Sequence, residues 1–212
     1  MTAMLEPIAR SRVVAVLRAR DASRFVEVGT VLAEAGVTCI EFTLSSEGAV
    51  DALRAFVARL PRGVAIGAGT VLDAQAATAA VDAGATYLIS PALCRDVIER
   101  GADLGVPVIA GALTPTEILD AWRAGASAVK VFPAAEAGGP AYIRAVLAPL
   151  PHVPLIPTGG VEIDDASDYL AAGAFAVGLG GSLIGDAGAG GDLDALRARA
   201  QALVEAVARV AA

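Results

Sequence analysis

The sequence predicts an α/β protein whose strands and helices alternate and close into a (β/α)8 TIM barrel. Three observations lead to this fold class. Eight short apolar segments recur along 212 residues, segments with helical periodicity lie between them, and an Ala-Gly step precedes several of the strands. An open doubly wound sheet is the alternative architecture, but eight evenly spaced units fit a closed barrel better.

The eight apolar segments are each about five residues long, and turn residues bound most of them. A glycine just past a helix adopts the left-handed conformation that ends the helix, and four glycines fit this pattern. These are Gly36, Gly84, Gly125 and Gly173. The predicted strands are 13–17, 38–42, 64–68, 86–90, 107–110, 127–131, 154–157 and 175–179.

The segments between the strands carry apolar residues at helical spacing, as in 25–36 and 49–60. The segment 114–125 begins with Thr114 and has Glu117 three residues later, which predicts a capping box at the start of a helix. No linker and no break in composition divides the chain. We therefore expect a single domain over residues 1–212.

Composition and charge disfavour several classes of protein. The net charge is −7 and no basic stripe is present, so we expect no nucleic-acid partner. No basic start precedes an apolar stretch, and every apolar run falls short of the ~18 residues that span a membrane. A cytoplasmic protein without a membrane partner is therefore expected.

Metal and histidine chemistry are also disfavoured. Cys39 and Cys94 share no metal-ligand spacing, and the only histidine, His152, lies in a proline-rich connection that predicts a solvated loop. A single histidine in this position argues against Ser-His-Asp triads and sites with several histidine ligands. We expect no metal and no cofactor, with a magnesium site built from carboxylates alone left open.

Polar residues concentrate where the predicted strands end and lead into the next helix, which is where TIM barrels carry their chemistry. At these positions the sequence places cations, a carboxylate, hydroxyls and glycines. The candidate site residues are Arg18, Glu41, Thr70, Pro91, Lys130, Phe132, Thr158, Gly159, Gly160, Gly180, Gly181 and Ser182.

Lys130 is the only lysine among the 16 basic residues. It lies inside a predicted strand, where burial of an ammonium group without a partner is costly and favours loss of its proton. An uncharged amine can attack a carbonyl and form a Schiff base, which arginine cannot do because its guanidinium group stays protonated. We interpret Lys130 as a nucleophile. A lysine that extends its amine to solvent is the alternative.

Glu41 ends the second strand, and period-2 alternation places it on the face opposite Ile40 and Phe42. If those two residues pack against helices, Glu41 points into the barrel, where it would act as a general acid and base. Arg18 ends the first strand and is suited to bind a substrate carboxylate. A structural ion pair between Glu41 and Arg18 is the alternative for both residues.

Glycine-rich turns follow the last two strands, as PTGG over 157–160 and GLGGSL over 178–183. TIM barrels commonly bind phosphate there, because glycine lets backbone N–H groups approach an anion. We expect the N–H groups near Gly160, Gly181 and Ser182 to be donors. The spacing does not fit a dinucleotide fingerprint. A purely steric reason for the glycines is the alternative.

The motifs EFTL, GAGTVL, ISPAL, LTPTE, VKVFPAA, PTGGV and GLGGSL fall in the order in which they occur in one enzyme family. Over nearly the whole chain, the sequence resembles the class I 2-keto-3-deoxy-6-phosphogluconate (KDPG) and 4-hydroxy-2-oxoglutarate (KHG) aldolases. The resemblance implies a homotrimeric barrel that cleaves a 2-keto-3-deoxy sugar acid phosphate of the Entner–Doudoroff pathway into pyruvate and glyceraldehyde 3-phosphate. The KHG activity of the family yields pyruvate and glyoxylate.

The resemblance also implies roles for individual residues. Lys130 would form the carbinolamine and imine with the 2-keto carbon, Glu41 would move protons, and Thr70 and an arginine would hold the pyruvate carboxylate. Some members carry that arginine where this chain has Ser45, and others carry it at the position of Arg18, to which we assign the role. The expected substrate-binding residues are Arg18, Thr70, Pro91 and Phe132.

Substrate choice is less defined than the reaction. Where members of the family often have Pro-Gly after the fifth strand, this chain has Ala110-Gly111, which affects the expected shape of the loop. The C4 configuration of the sugar acid, and whether it is phosphorylated, stay open, with a galactonate-derived substrate as one alternative. More remote alternatives are a phosphosugar isomerase and a non-catalytic sugar-phosphate-binding barrel, because neither needs an imine.

Overall fold

Eight parallel strands form one sheet in the structure, a computed structural model that describes residues 5–210. The strands are β1 (Val13–Leu17), β2 (Cys39–Thr43), β3 (Ala65–Gly69), β4 (Tyr87–Ile89), β5 (Val108–Ala112), β6 (Ala128–Val131), β7 (Leu155–Pro157) and β8 (Val177–Leu179). They lie in the order β7-β6-β5-β4-β3-β2-β1-β8. Consecutive strands are thus neighbours, as in a barrel wound in one direction.

The two end strands, β7 and β8, also meet and close the sheet. The N–H of Phe175 donates to the carbonyl oxygen of Leu155 at 2.8 Å, and Thr158 forms an isolated parallel bridge with Gly178. The predicted (β/α)8 barrel is therefore confirmed. All eight predicted strands are present, and their ends differ from the prediction by at most two residues.

Helices alternate with the strands on the outside of the barrel. They are α1 (Glu6–Ser11), α2 (Phe25–Glu34), α3 (Ala49–Val57), α4 (Ala74–Asp82), α5 (Arg95–Leu104), α6 (Pro115–Arg123), α7 (Gly139–Leu147), α8 (Ala166–Ala171), α9 (Gly181–Ile184) and α10 (Leu193–Ala208). The capping box of Thr114 and Glu117 is present at the start of α6, as predicted. None of the helices between residues 5 and 210 is both long enough and apolar enough to cross a membrane.

Alternate residues of each strand pack outward against the helices. On β2, Ile40 and Phe42 are fully buried in this outer core. The ring of Phe42 contacts Phe25 of α2 and Phe56 of α3, with ring centroids 5.0 and 5.4 Å apart. Each buried ring contributes about 1.5–3 kcal/mol through burial. Because these strand residues pack against helices, Glu41 between them faces the barrel interior.

Residues that point inward fill the amino-terminal half of the barrel. Cys39 of β2 and Ala128 of β6 belong to this inner core, and Ile8 of α1 closes it from the amino-terminal end. Glu41 and Lys130 lie two residues further along the same faces of β2 and β6, so they emerge just above the packed layer. The inner core therefore forms the floor of a site at the carboxyl-terminal rim.

Candidate active site

Lys130 points into the barrel from β6. Its neighbours Val129 and Val131 pack in the outer core, so strand alternation directs Lys130 to the inner face. The residue is only 4% exposed, and its Nζ lies 5.2 Å from the centre of the Phe132 ring. Lys130 lines a cavity of about 370 Å³. This burial sets Lys130 apart from a lysine that extends into bulk solvent.

Glu41 faces the same interior from β2. It is 1% exposed, and neither carboxylate oxygen has a hydrogen-bond partner among residues 5–210. Burial raises the pKa of this carboxyl group, against the lowering effect of the positive charges of Lys130 and Arg18. Because its oxygens are unpaired within the described residues, Glu41 does not form the structural ion pair with Arg18. A buried carboxyl group in this state is suited to give and take protons.

Arg18 and Thr70 meet at the rim, just after β1 and β3. The guanidinium group donates from Nη2 to Thr70 Oγ1 at 3.2 Å. Thr70 has a φ of 57°, a left-handed backbone conformation that costs a residue other than glycine about 1–2 kcal/mol. Strained residues of this kind cluster at binding sites. Together the two side chains offer a cation and a hydroxyl to a carboxylate.

Two buried hydroxyls hold the backbone on either side of Arg18. Thr43 Oγ1 donates to the carbonyl oxygen of Leu17 at 2.9 Å, and Ser46 Oγ donates to that of Ala19 at 2.8 Å. Ser46 Oγ also accepts the N–H of Ala19 at 3.2 Å. The end of β2 and the loop after it therefore set the position of Arg18.

The loop after β4 reaches into the barrel beside Lys130. Gly111 is the strand neighbour of Lys130 on β5, and a Cβ atom at this glycine would overlap the backbone of Pro91. Ser90 Oγ donates to the carbonyl oxygen two residues later at 2.7 Å and stabilises this turn. Ala110, which stands where members of the family often have proline, packs in the outer core and so lies away from the inner face.

The two glycine-rich turns line the same cavity. Ser182 Oγ donates to the carbonyl oxygen of Val161 at 2.7 Å, which joins the turn after β8 to the turn after β7. Within the described residues, the backbone N–H groups of Gly160, Gly181 and Ser182 have no hydrogen-bond acceptor. These three donors are therefore available to an anion.

Nine of the twelve candidate residues line this one cavity of about 370 Å³. Thr70 lies outside the lining and reaches it through its hydrogen bond with Arg18. Glu41 and Pro91 also lie outside, deeper in the barrel and beside Gly111 respectively. The nine are Arg18, Lys130, Phe132, Thr158, Gly159, Gly160, Gly180, Gly181 and Ser182.

The opposite end of the barrel carries a larger hollow of about 800 Å³. Trp122, His152 and Phe175 are among its lining residues, and none of the candidate residues lies there. His152 is exposed, with its ring centroid 6.0 Å from that of Trp122 in an edge-to-face contact. Across residues 5–210, no group of three or more His, Cys, Asp or Glu side chains is arranged to hold a metal ion.

The sequence is similar to those of one known enzyme family over most of its length. Residues 5–198 match the family model described as KDPG and KHG aldolase. The chain belongs to this aldolase family. Among its relatives, the KHG/KDPG aldolase of Escherichia coli K12 is 34% identical over 195 residues, which are 91% of each chain.

Two further similarities concern substrate and chemistry. A probable 2-dehydro-3-deoxy-6-phosphogalactonate aldolase of Rhizobium meliloti is 36% identical over 190 residues, 89% of each chain. A crystal structure of the KDPG aldolase of Legionella pneumophila contains pyruvate captured as a covalent carbinolamine intermediate. It matches this aldolase with a TM-score of 0.86 at 27% identity, over 95% of this chain and 98% of that one.

Two carboxylates of this aldolase lie at the glycine turns and were not predicted from the sequence. Glu162 lines the cavity, and Oε2 of Glu136 would lie 3.6 Å from a Cβ atom at Gly160. Both residues are exposed, so solvent weakens their effect on a bound anion. Glu162 directly follows the PTGGV motif, which is a usable signal. Glu136 approaches the turn only through folding.

Proposed function

We propose that the chain is a class I aldolase that cleaves 2-keto-3-deoxy-6-phosphogluconate into pyruvate and glyceraldehyde 3-phosphate through an imine on Lys130. One observation supports this most directly. The only lysine is buried in the barrel and lines a cavity. The barrel interior also holds Glu41, whose carboxylate is unpaired within the described residues. An amine nucleophile and a proton carrier are the two groups that the reaction needs.

The reaction begins when the Lys130 amine attacks the 2-keto carbon of the substrate. The carbinolamine that forms loses water and leaves a protonated imine. The positively charged nitrogen then attracts the electrons of a neighbouring carbon–carbon bond. The imine is therefore the electron sink that the ketone alone does not provide.

Cleavage requires a base at the C4 hydroxyl. Glu41 takes that proton, directly or through a water molecule, and the C4 oxygen becomes an aldehyde as the C3–C4 bond breaks. The bond's electrons move to the imine nitrogen and give the enamine of pyruvate. Glu41 returns its proton to C3, and water hydrolyses the resulting imine to pyruvate and the free amine.

The other candidate residues would hold the two ends of the substrate. Arg18 and Thr70 would bind the carboxylate, since they present a cation and a hydroxyl that already contact each other. The N–H groups of the glycine turns would bind the phosphate, and Pro91 and Phe132 would flank the reacting carbons. Binding energy at both ends then positions the C3–C4 bond.

Borohydride reduction tests the imine directly. With pyruvate present, reduction should leave a three-carbon adduct on the peptide that contains Lys130, detected by mass spectrometry. Lys130→Ala should abolish both the adduct and pyruvate release while the circular dichroism spectrum is unchanged. Lys130→Arg is the matched control, because it keeps a cation without a nucleophilic amine. Substantial pyruvate release by either variant would contradict the imine.

A second set of substrates follows from the relatives. The Rhizobium meliloti protein is named for the galactonate-derived phosphate, and the Escherichia coli protein is named for KHG activity as well. We propose that this chain also cleaves one or both of these compounds to pyruvate. A panel of 2-keto acids, assayed for pyruvate release beside the borohydride experiment, ranks them. A phosphosugar isomerase or a non-catalytic barrel would form no adduct with pyruvate.

We further propose that residues 1–212 act as a single domain, that the chain forms a homotrimer, and that it works in the cytoplasm. Family membership supports the trimer, and the free thiols of Cys39 and Cys94 are consistent with a reducing compartment. Light scattering after gel filtration should give three times the mass of one chain. A monomer at assay concentration would contradict the assembly and leave the chemistry in place.

A further inference from the structure

Tyr87 is a buried, titratable side chain that the proposed mechanism does not use. It is 2% exposed, and its hydroxyl donates to the carbonyl oxygen of Ile40 at 2.7 Å, one residue before Glu41. Tyr87 lies on β4 and Ile40 on β2. The side chain therefore crosses the inner face of β3, the strand between them, to reach its acceptor.

Two glycines of β3 make room for this crossing. Gly67 is paired with Glu41 on one side and with Tyr87 on the other, so the three residues form one row across the barrel wall. A Cβ atom at Gly67 would overlap the Tyr87 ring, and a Cβ atom at Gly69 would overlap the Glu41 carboxylate. The ring thus lies at the level of Gly67, and the carboxylate lies one step nearer the rim.

The Tyr87 ring therefore occupies the space on the floor side of the Glu41 carboxylate. The carboxylate leans over Gly69 toward the rim, where Lys130 lines the cavity. Its two oxygens are shielded from solvent and unpaired among residues 5–210. Without the ring, Gly67 would leave an open space in which the carboxylate could turn away or water could collect.

We propose that Tyr87 is a positioning residue for Glu41. The Tyr87 ring excludes water from the floor of the site and directs the Glu41 carboxylate toward the rim. The inference rests on the proposed function, in which Glu41 carries the protons. It adds a residue that never touches the substrate and acts only through the carboxylate above it.

The ionisable groups around Glu41 are Lys130 on β6, Arg18 after β1, Tyr87 on β4 and Cys39 on its own strand. Burial raises the pKa of Cys39 to about 12 and keeps that of Tyr87 well above its usual value, so both stay neutral in a working assay. Once pyruvate occupies Lys130 as an imine, a change of rate in mildly acidic solution reports on Glu41.

Exchange of the pyruvate methyl protons in deuterated water, followed by NMR at a series of pH values, is the test. Exchange needs the imine and an ionised base, so its rate rises with pH through the pKa of Glu41. Tyr87→Leu should lower the maximum exchange rate about 10-fold or more, because the carboxylate is no longer held in place. The acid limb, which is the part of the pH–rate profile where the rate rises with pH, should move to lower pH by about one unit, because water then reaches the carboxylate. Borohydride trapping of pyruvate on Lys130 should persist.

Two control variants separate positioning from general packing. Tyr87→Phe keeps the ring and loses only the hydroxyl, so the acid limb should stay in place. Ile109→Ala removes a fully buried inner-core side chain on β5, and it should lower stability without moving the limb. An unmoved limb in a folded Tyr87→Leu variant that still traps pyruvate would overturn the inference.

Tyr87→Met, with the same expected shift of the pH–rate profile, keeps the inference testable if Tyr87→Leu does not fold, and Gly69→Ala tests separately where the carboxylate lies. The new methyl group would overlap the carboxylate, so exchange should be lost while borohydride trapping is retained. Unchanged exchange in this variant would also count against the arrangement. Failure of the proposed function gives a different result, because the unsubstituted protein itself would then form no adduct with pyruvate.

Discussion

At the scale of single residues, the barrel interior brings Lys130 and Glu41 together without a hydrogen bond to the Glu41 carboxylate in the part of the chain that the structure describes. Lys130 and Glu41 share the interior and the charge of Lys130 opposes the rise in the pKa of Glu41, yet neither oxygen of Glu41 is hydrogen-bonded within residues 5–210. A tight ion pair would stabilise both charges and make the amine a poorer nucleophile. The unpaired arrangement costs stability and leaves both groups ready for substrate.

The stability cost of burying an unpaired Glu41 carboxylate predicts the effect of Glu41→Gln on the free energy of unfolding. Burial raises the folded pKa of Glu41 above its ordinary value of 4.5, so the folded protein binds this proton more tightly than the unfolded chain. Its contribution to stability is therefore present at low pH and is lost as pH rises through the folded pKa. At neutral pH, Glu41→Gln should be more stable by about 0.5–2 kcal/mol in urea unfolding.

The same experiment carries its own control. Near pH 4.5 the difference in unfolding free energy between Glu41→Gln and the unsubstituted protein should shrink, because the carboxyl group is then protonated in the fold. Glu41→Gln should also slow exchange of pyruvate methyl protons by about 10²–10⁴-fold. A stability difference that is independent of pH, or unchanged exchange, would contradict the role given to Glu41.

Residue roles differ in how well the sequence indicates them. Lys130 is identifiable because an amine inside an apolar strand needs a reason, and Glu41 because strand alternation assigns its face. Tyr87 and Ser46 are not identifiable in this way. Their partners, the carbonyl oxygens of Ile40 and Ala19, are distant in sequence, and only the packed barrel brings them together.

Strands and loops show that inward glycines admit a neighbour's atoms. Gly111 of β5 admits the backbone of Pro91, and Gly178 of β8 admits the side chain of Thr158. In both cases the admitted group lies beside the cavity that contains Lys130. Glycine on these strands therefore shapes the site by leaving space that another element fills.

Gly111→Ala tests this use of space. The added methyl group would overlap the Pro91 backbone, so the loop must move away from Lys130. Overpacking of this kind should cost about 1–3 kcal/mol of stability. We also expect borohydride trapping of pyruvate to slow about 10-fold or more, since misplaced contacts near the reacting atoms cost rate.

Ala110→Gly is the matched variant on the same strand. Ala110 faces the outer core, so removal of its methyl group should lower the free energy of unfolding without changing the rate of pyruvate trapping. Equal trapping rates for Gly111→Ala and the unsubstituted protein would show that the Pro91 loop does not shape the site.

Elements are more predictable than the contacts between them. The eight strands follow from short apolar segments, and α6 follows from its capping box. Two helices were not predicted, α1 with six residues and α9 with four, because segments so short show no periodicity. Both depend on tertiary contacts, α1 on the barrel floor and α9 on the hydrogen bond from Ser182 to Val161.

The interior of the barrel as a whole divides into a packed half and an open half. The inner core and α1 close the amino-terminal end, while the cavity opens at the carboxyl-terminal rim. Changes at the floor should therefore affect stability more than chemistry, apart from Tyr87, which lies directly under Glu41.

Ile8→Ala tests this division. Ile8 of α1 is 1% exposed in the inner core, and its truncation should lower the free energy of unfolding by about 2–5 kcal/mol. Urea unfolding measures the loss, and borohydride trapping on the still-folded protein should be unchanged. Impaired trapping in that protein would mean that the floor and the rim are coupled.

The absence of any second lysine has a practical result for the outside of the barrel. All fifteen other basic residues are arginines, so every side-chain amine in the chain is the one on Lys130. Reagents and enzymes that act on lysine side chains would find no target on the exposed faces, and only the terminal α-amino group would compete for an acylating dye. Slow acylation of the Lys130 amine, blocked by a keto acid, would therefore distinguish free from occupied catalytic centres.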